Sequence, residues 1–222
     1  MPTELHLETS GSGPTVLFVH GLDSDSQVWA PVVGLLDDHT CVTIDLPGHG
    51  ESPVSPDPAA YSREALLARL DEVVADLEGP VVLVGHSLGG YLGMAYALTR
   101  PDALAALVLV STGPGFRDPE ARESWNTRVR ENAADYEIPE IAAAVAFHID
   151  AMVIDRMTEL TMPLALVIGD GDRAYLGAND YMEKKLPHAS RTTVEGARHY
   201  VMRSHPDEVA KAIRSMSAAA AG

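Results

Sequence analysis

Cysteine is almost absent from this sequence: Cys41 is the single one in 222 residues. It has no partner for an intrachain disulfide, and its place in the apolar run Cys41, Val42, Ile44 marks a buried strand residue rather than a redox or catalytic thiol. Long apolar runs are absent too. No stretch approaches the roughly 18 uninterrupted apolar residues of a membrane span, and Met1 to Ser10 carries charge where an export signal needs an apolar run. A cytoplasmic location is therefore expected. Basic side chains are scarce, with 16 Lys and Arg against 32 Asp and Glu, a formal charge of −16. Such a surface repels phosphate backbones and anionic membranes, which excludes nucleic acid as a partner and points to a neutral or apolar small molecule. No Cys or His cluster has metal-ligand spacing, and no glycine loop ends in the Lys-Ser/Thr of a phosphate loop, so neither a metal nor another cofactor is expected. Nothing in the sequence fixes an oligomeric state.

What the chain does contain is an apolar content of 46% divided into strand-length pieces. Runs rich in Val, Ile and Leu recur at Thr15 to Val19, Thr40 to Leu46, Val81 to Val84, Leu104 to Val110 and Leu164 to Ile168, apolar on both faces as buried parallel strands are. Between them lie helix-length stretches. In Ser62 to Leu77 the residues Leu66, Leu70, Val73, Val74 and Leu77 return at three- and four-residue steps behind the candidate cap Ser62. The alternation predicts a doubly wound α/β fold in one domain, residues 1–222, with crossovers long enough for parallel pairing.

One interval, Gly113 to Thr161, exceeds a simple crossover and predicts a cap insertion at about residues 114–160. Two lid helices are expected in it, Pro119 to Asn132 and Pro139 to Val153, the second with a stripe of Ile141, Val145, Ile149 and Met152. Further expectations are a first strand near Glu4 to Glu8, a closing helix over Pro206 to Ser217 and a frayed tail from Ala218 to Gly222.

Directly after Val81 to Val84 comes Gly85-His86-Ser87-Leu88-Gly89, a G-x-S-x-G turn between a strand and a helix. A serine hydroxyl is a weak nucleophile at neutral pH and needs a base, and the base needs a third group to fix its tautomer. In an open parallel sheet such partners sit just past the carboxyl ends of strands. Asp170 and Asp172 follow Ile168, and His199 follows the short run Thr192 to Val194, so the chain order is serine, acid, histidine. Either aspartate fits that position. Attack on an ester creates an oxyanion, for which each backbone donor contributes roughly 3 kcal/mol. The N–H of Leu88 at the helix start and that of Leu22, after His20-Gly21, are the candidate donors. Trp125 and His148 are candidate substrate contacts within the lid, with lid packing as the alternative for each. His86, His20 and His49 are expected to pack or to hold loops.

Over its whole length the chain resembles the α/β-hydrolase superfamily, in its serine esterase and lactonase branch. The resemblance rests on the ordered Ser87, Asp172 and His199, on His20-Gly21, on Asp45-Leu46-Pro47-Gly48-His49-Gly50-Glu51-Ser52 and on Gly85-His86-Ser87-Leu88-Gly89-Gly90. It implies an α/β-hydrolase fold, a mostly parallel sheet with helices on both faces and a small helical cap. It also implies that the acid lies three residues after the glycine ending its strand, which from Gly169 selects Asp172. Only 19 residues precede His20, room for one strand where relatives commonly have a hairpin, so about seven strands are expected. The implied activity is cofactor-independent hydrolysis of a small carboxylic ester or lactone through an acyl-enzyme on Ser87. C–C hydrolysis, lyase chemistry or perhydrolysis at the same site are alternatives, as is a silent ligand receptor. Relatives with an aspartate nucleophile are excluded by Ser87.

Overall fold

The computed structural model describes residues 5–221, and seven strands form a single sheet within them. They are β1 (Leu7–Gly11), β2 (Thr15–Val19), β3 (Thr40–Ile44), β4 (Val81–His86), β5 (Ala106–Val110), β6 (Leu164–Gly169) and β7 (Ser190–Val194). The order is β1-β3-β2-β4-β5-β6-β7, with β1 antiparallel to β3 and every other pair parallel. Alternation along the central strands divides their side chains between two cores. Val16 and Phe18 of β2, Val82 and Val84 of β4, and Val108 and Val110 of β5 face one. Leu17, Val19, Leu83, Leu107 and Leu109 face the other. Both faces are covered, which is why these strands are apolar runs rather than alternating ones. Each buried Val or Leu contributes about 1.5–3 kcal/mol of transfer free energy.

Between and after the strands run α1 (Ala30–Val33), α2 (Arg63–Ala75), α3 (Leu88–Thr99), α4 (Pro119–Glu131), α5 (Met152–Arg156), α6 (Leu176–Lys185), α7 (Val201–Ser204) and α8 (Pro206–Ala220). Helices α2 and α3 supply Leu66, Leu70, Leu92 and Ala95 to the second core, and α8 supplies Val209 and Ile213 to the first. Caps fix the starts: Ser62 Oγ accepts the N–H of Ala65 at 3.2 Å, and Asp118 accepts that of Glu120 at 3.0 Å, directly ahead of Pro119.

Three expectations need correction. The first strand runs Leu7–Gly11 rather than Glu4 to Glu8, and Glu4 lies outside the described residues. Its side chains are all exposed, so its position follows from backbone pairing with β3, Leu7 opposite Ile44 through Gly11 opposite Thr40, and not from apolar content. At the other end α8 continues through Ala220, because alanine is the best helix former and Ala220 still packs on the core; Gly222 lies outside the described residues. In the cap, Pro139 to Val153 is not one helix. A 3₁₀ segment, Glu140–Ala146, ends at an extended Phe147, and α5 restarts at Met152. Asn126 of α4 holds the break: its amide accepts the N–H of His148 at 2.8 Å and donates to the C=O of His148 at 2.9 Å. Asp150 then accepts the N–H of Met152 at 2.9 Å, restarting the helix. Ile149, assigned to an inward stripe, is 55% exposed. No helix among the described residues is long and apolar enough to cross a membrane.

Candidate active site

The chain passes from β4 into α3 at one residue. Ser87 has φ +50° and ψ −112°, a conformation that costs an L-residue about 1–3 kcal/mol. Neighbouring contacts hold it there. The N–H of Ser87 donates to the C=O of Val110 at 2.9 Å, and its own carbonyl accepts the N–H of Gly90 and Tyr91, both at 3.1 Å, and Thr112 Oγ1 at 2.5 Å. A Cβ on Gly85 would come within 2.5 Å of the Gly89 backbone, and one on Gly89 would overlap Val19 O. Those two glycines let the strand, the turn and the helix touch, and Ser87 projects from the crossing.

His199 lies in the loop after β7, with Nδ1 2.8 Å from Oδ2 of Asp172. A carboxylate only accepts, so the proton sits on Nδ1 and the other ring nitrogen is left basic. Asp172 is buried in the loop after β6, while Asp170, two residues earlier, is exposed and accepts the N–H of Gly196 at 2.9 Å, tying the two loops together. The His86 ring lies tilted against that of His199, 4.7 Å between centroids, and donates Nε2–H to the His199 backbone carbonyl at 3.1 Å. Burial holds the His86 pKa well below the ordinary histidine value, so no second cation competes beside His199.

Sequence reasoning did not identify Tyr175. Its ring stacks on His199 with centroids 5.0 Å apart and planes 22° apart, and its hydroxyl lies 3.5 Å from Ser87 Oγ. Burial raises its pKa, which keeps the phenol protonated. Among the described residues Ser87 Oγ is bonded to no histidine; such contacts are often loose without substrate.

The loop after β2 approaches the elbow from the other side. A Cβ on Gly21 would lie 3.2 Å from the Cβ of Ser87, which places the following residue, Leu22, at the serine. His20 sets this loop. Its Nε2 accepts the N–H of Leu46 at 2.9 Å, so its proton is on Nδ1 and is donated to Gly21 O at 2.7 Å. Complete burial, with His49 beside it, takes its pKa down to about 3 and preserves that tautomer. Asp23 Oδ1 accepts the N–H of Glu137 at 2.6 Å and ties the loop to the cap. Among the described residues the N–H groups of Leu22 and Leu88 have no protein acceptor.

A cavity of ≈ 330 Å³ opens over the serine and takes in Leu22, Ser87, Leu88, Trp125, His148 and Tyr175. Trp125 is oriented by donation of its indole N–H to Ala146 O at 2.8 Å. The His148 ring packs edge-on against Tyr91, Phe116 and Trp125, and burial, with the Arg63 charge, lowers its pKa to about 4. Arg63, nearly buried, pairs with Asp150 through two bonds of 2.7 and 2.8 Å. No group of three His, Cys, Asp or Glu side chains among the described residues is placed to hold a metal.

The sequence model of the alpha/beta hydrolase family matches residues 16–212. A pimeloyl-[acyl-carrier protein] methyl ester esterase of Pseudoalteromonas atlantica is 36% identical over 60% of this chain and 53% of its own length, so the chain spans about half of that relative. Another esterase of that name, from Aliivibrio salmonicida, is 27% identical over 94% of both chains. A thermophilic esterase from Thermogutta terrifontis, solved with malate bound, superposes with a TM-score of 0.83 at 27% identity, covering 95% of this chain and 92% of that one.

Proposed function

The chain belongs to the α/β-hydrolase family, and from that premise we propose that it is a serine hydrolase cleaving a small carboxylic ester or lactone through an acyl-enzyme on Ser87. His199 takes the proton of Ser87 as Oγ attacks the carbonyl carbon. The oxyanion forms against the N–H groups of Leu22 and Leu88, the latter at the positive end of α3. Asp172 holds the tautomer of His199 and stabilises the imidazolium. Collapse of the tetrahedral intermediate breaks the C–O bond, and His199 returns its proton to the departing alcohol. Water, deprotonated by the same imidazole, then attacks the acyl-enzyme and releases acid and free Ser87.

The observation that carries this reading is the 2.8 Å bond from His199 to a buried Asp172, beside a serine held at φ +50° on the wall of the cavity. Similarity to proteins named as esterases supports the ester over other acyl substrates. A lactone is a cyclic ester and passes through the same steps. The test is hydrolysis of methyl butyrate followed by acid release, together with labelling by a fluorophosphonate. Ser87→Ala should abolish labelling and reduce kcat by about 10⁴-fold or more. Equal rates in the mutant and the parent would eliminate the acyl-enzyme.

A further inference from the structure

We propose that Tyr175 sets the size of the alcohol half of the substrate, so that the enzyme acts on esters of methanol- or ethanol-sized alcohols and places the larger acyl half under the cap. The inference rests on the serine hydrolase reading above. The alcohol oxygen must receive its proton from His199, so the alcohol half lies on the His199 side of Ser87. That side is where the Tyr175 ring covers a face of the imidazole and its hydroxyl reaches to 3.5 Å from Ser87 Oγ. The phenol fills the space into which a longer alcohol would extend. The cap contributes the rings of Phe116, Trp125 and His148 to the same cavity, an aromatic lining that suits an apolar acyl chain.

The wall formed by Tyr175 is held in place. Its N–H donates to Asp172 O at 3.0 Å, and its C=O accepts from Asn179 Nδ2 at 3.1 Å. Asn179 is fully buried and donates the same amide to Thr112 O at 2.9 Å. Thr112 in turn holds the Ser87 carbonyl. One network therefore links the elbow, the loop after β5 and the start of α6, so the backbone that carries the ring cannot shift without disturbing the nucleophile. Gly113 closes the space beside it: a Cβ there would come within 3.0 Å of Ala178 and 3.7 Å of the Tyr175 ring.

The test holds the acyl group constant and varies the alcohol, comparing kcat/KM for methyl and butyl butyrate, whose alkoxides leave with similar ease. One misfit methylene is worth roughly 10- to 200-fold, so the parent should favour the methyl ester by about 100-fold or more. Tyr175→Ala should lower that ratio at least about tenfold by raising kcat/KM for butyl butyrate, an increase that a merely damaged site does not give. Tyr175→Phe should keep the ratio, because the ring and not the hydroxyl excludes the chain. Fluorophosphonate labelling at Ser87 expels fluoride, needs no alcohol space, and reports an intact site in each variant. If Tyr175→Ala loses the label, Tyr175→Leu keeps an apolar side chain over His199 and should shift the ratio in the same direction. A parent that cleaves both esters equally, or a labelled Tyr175→Ala with an unchanged ratio, overturns the role of Tyr175 and leaves the serine hydrolase reading intact. Absence of both labelling and ester cleavage in the parent overturns both.

Discussion

Replacing Asp172 by asparagine tests the proposed triad at its least exposed member. Oδ2 of Asp172 lies 2.8 Å from Nδ1 of His199, and the side chain is 4% exposed. When His199 takes the serine proton, a positive charge develops opposite this carboxylate, with charge centres roughly 4 Å apart. At an effective dielectric near 20 that attraction is about 4 kcal/mol, equivalent to roughly three powers of ten in rate at about 1.4 kcal/mol per decade. An amide adds a second penalty, because its NH₂ facing the ring would leave Nδ1 as acceptor and place the proton on the nitrogen that must act as base. The expected fall in kcat for methyl butyrate is therefore about 10³–10⁴-fold. Asp170→Asn is the control. Its exposed carboxylate accepts one backbone N–H, from Gly196 at 2.9 Å, and an amide oxygen accepts the same bond. Its rate should stay within about threefold of the parent, given that a neutral acceptor replaces a charged one far from the reacting atoms. Thermal unfolding of both variants separates lost chemistry from lost fold. Equal losses, or a larger loss in Asp170→Asn, would refute the assignment.

Gly89→Ala should cost roughly 2–3 kcal/mol of stability in urea unfolding, since the added methyl would overlap the carbonyls of Val19 and His20 and only backbone can yield. A variant as stable as the parent would mean that the elbow is not packed against β2 as described. Protonation of His148 should couple folding to pH. Its folded pKa, about 4, lies below the ordinary histidine value of 6.5, so the unfolded chain takes up the proton first as pH falls. Stability is then lost from pH 6.5 downward at about 1.4 kcal/mol per unit, roughly 2 kcal/mol by pH 5. His148→Gln should remove that share of the difference in unfolding free energy between pH 7 and pH 5; an unchanged difference would show that His148 is not held neutral.

Legibility in the sequence followed how local the cause was. Strands β2, β4, β5 and β6 are buried on both faces, so each appears as an uninterrupted apolar run, and residues just past strand ends pointed to Ser87, Asp172 and His199. Spacing alone did not separate Asp170 from Asp172, because the choice depends on one turn. The N–H of Asp172 donates to Gly169 O and that of Gly171 to Ala197 O, which turns Asp172 inward and leaves Asp170 outside. Causes from elsewhere in the chain left no local mark. Strand β1 is positioned by the backbone of β3, and the break before α5 by Asn126, 22 residues from His148. Helix α6 buries only Asn179 and Met182, too few to form a stripe. Tyr175 had one available signal: an aromatic three residues past the acid, in a chain only 5% aromatic.

The two sides of the cavity are held by different kinds of contact, and this bears on how the proposed specificity can change. On the proposed alcohol side, the backbone of Tyr175 belongs to a buried network through Asn179 and Thr112 that also holds the Ser87 carbonyl, so moving that backbone disturbs the elbow, while exchanging the side chain leaves these bonds in place. The proposed acyl side is a cap in which α4 lies against short helical turns joined by an extended link. Beside the apolar packing of Val129, Ala133, Ala143 and Ala146 against Leu22 and Leu88, its ties are individual side-chain bonds: Asp23 to Glu137, Asn126 to His148, Arg63 to Asp150 and Trp125 to Ala146. None of these includes Ser87, His199 or Asp172. Removing a single such bond costs about 0.5–1.5 kcal/mol, enough to shift Trp125 or His148 relative to a bound acyl chain while the triad stays in place. Variation in the acyl group is therefore accessible to many substitutions in the cap, whereas variation in the alcohol is confined to exchange of the Tyr175 side chain, because the backbone beneath it is tied to the elbow. In a fold where chemistry is supplied by strand ends, substrate breadth on each side of the scissile bond is then limited by how closely that wall is coupled to the elbow.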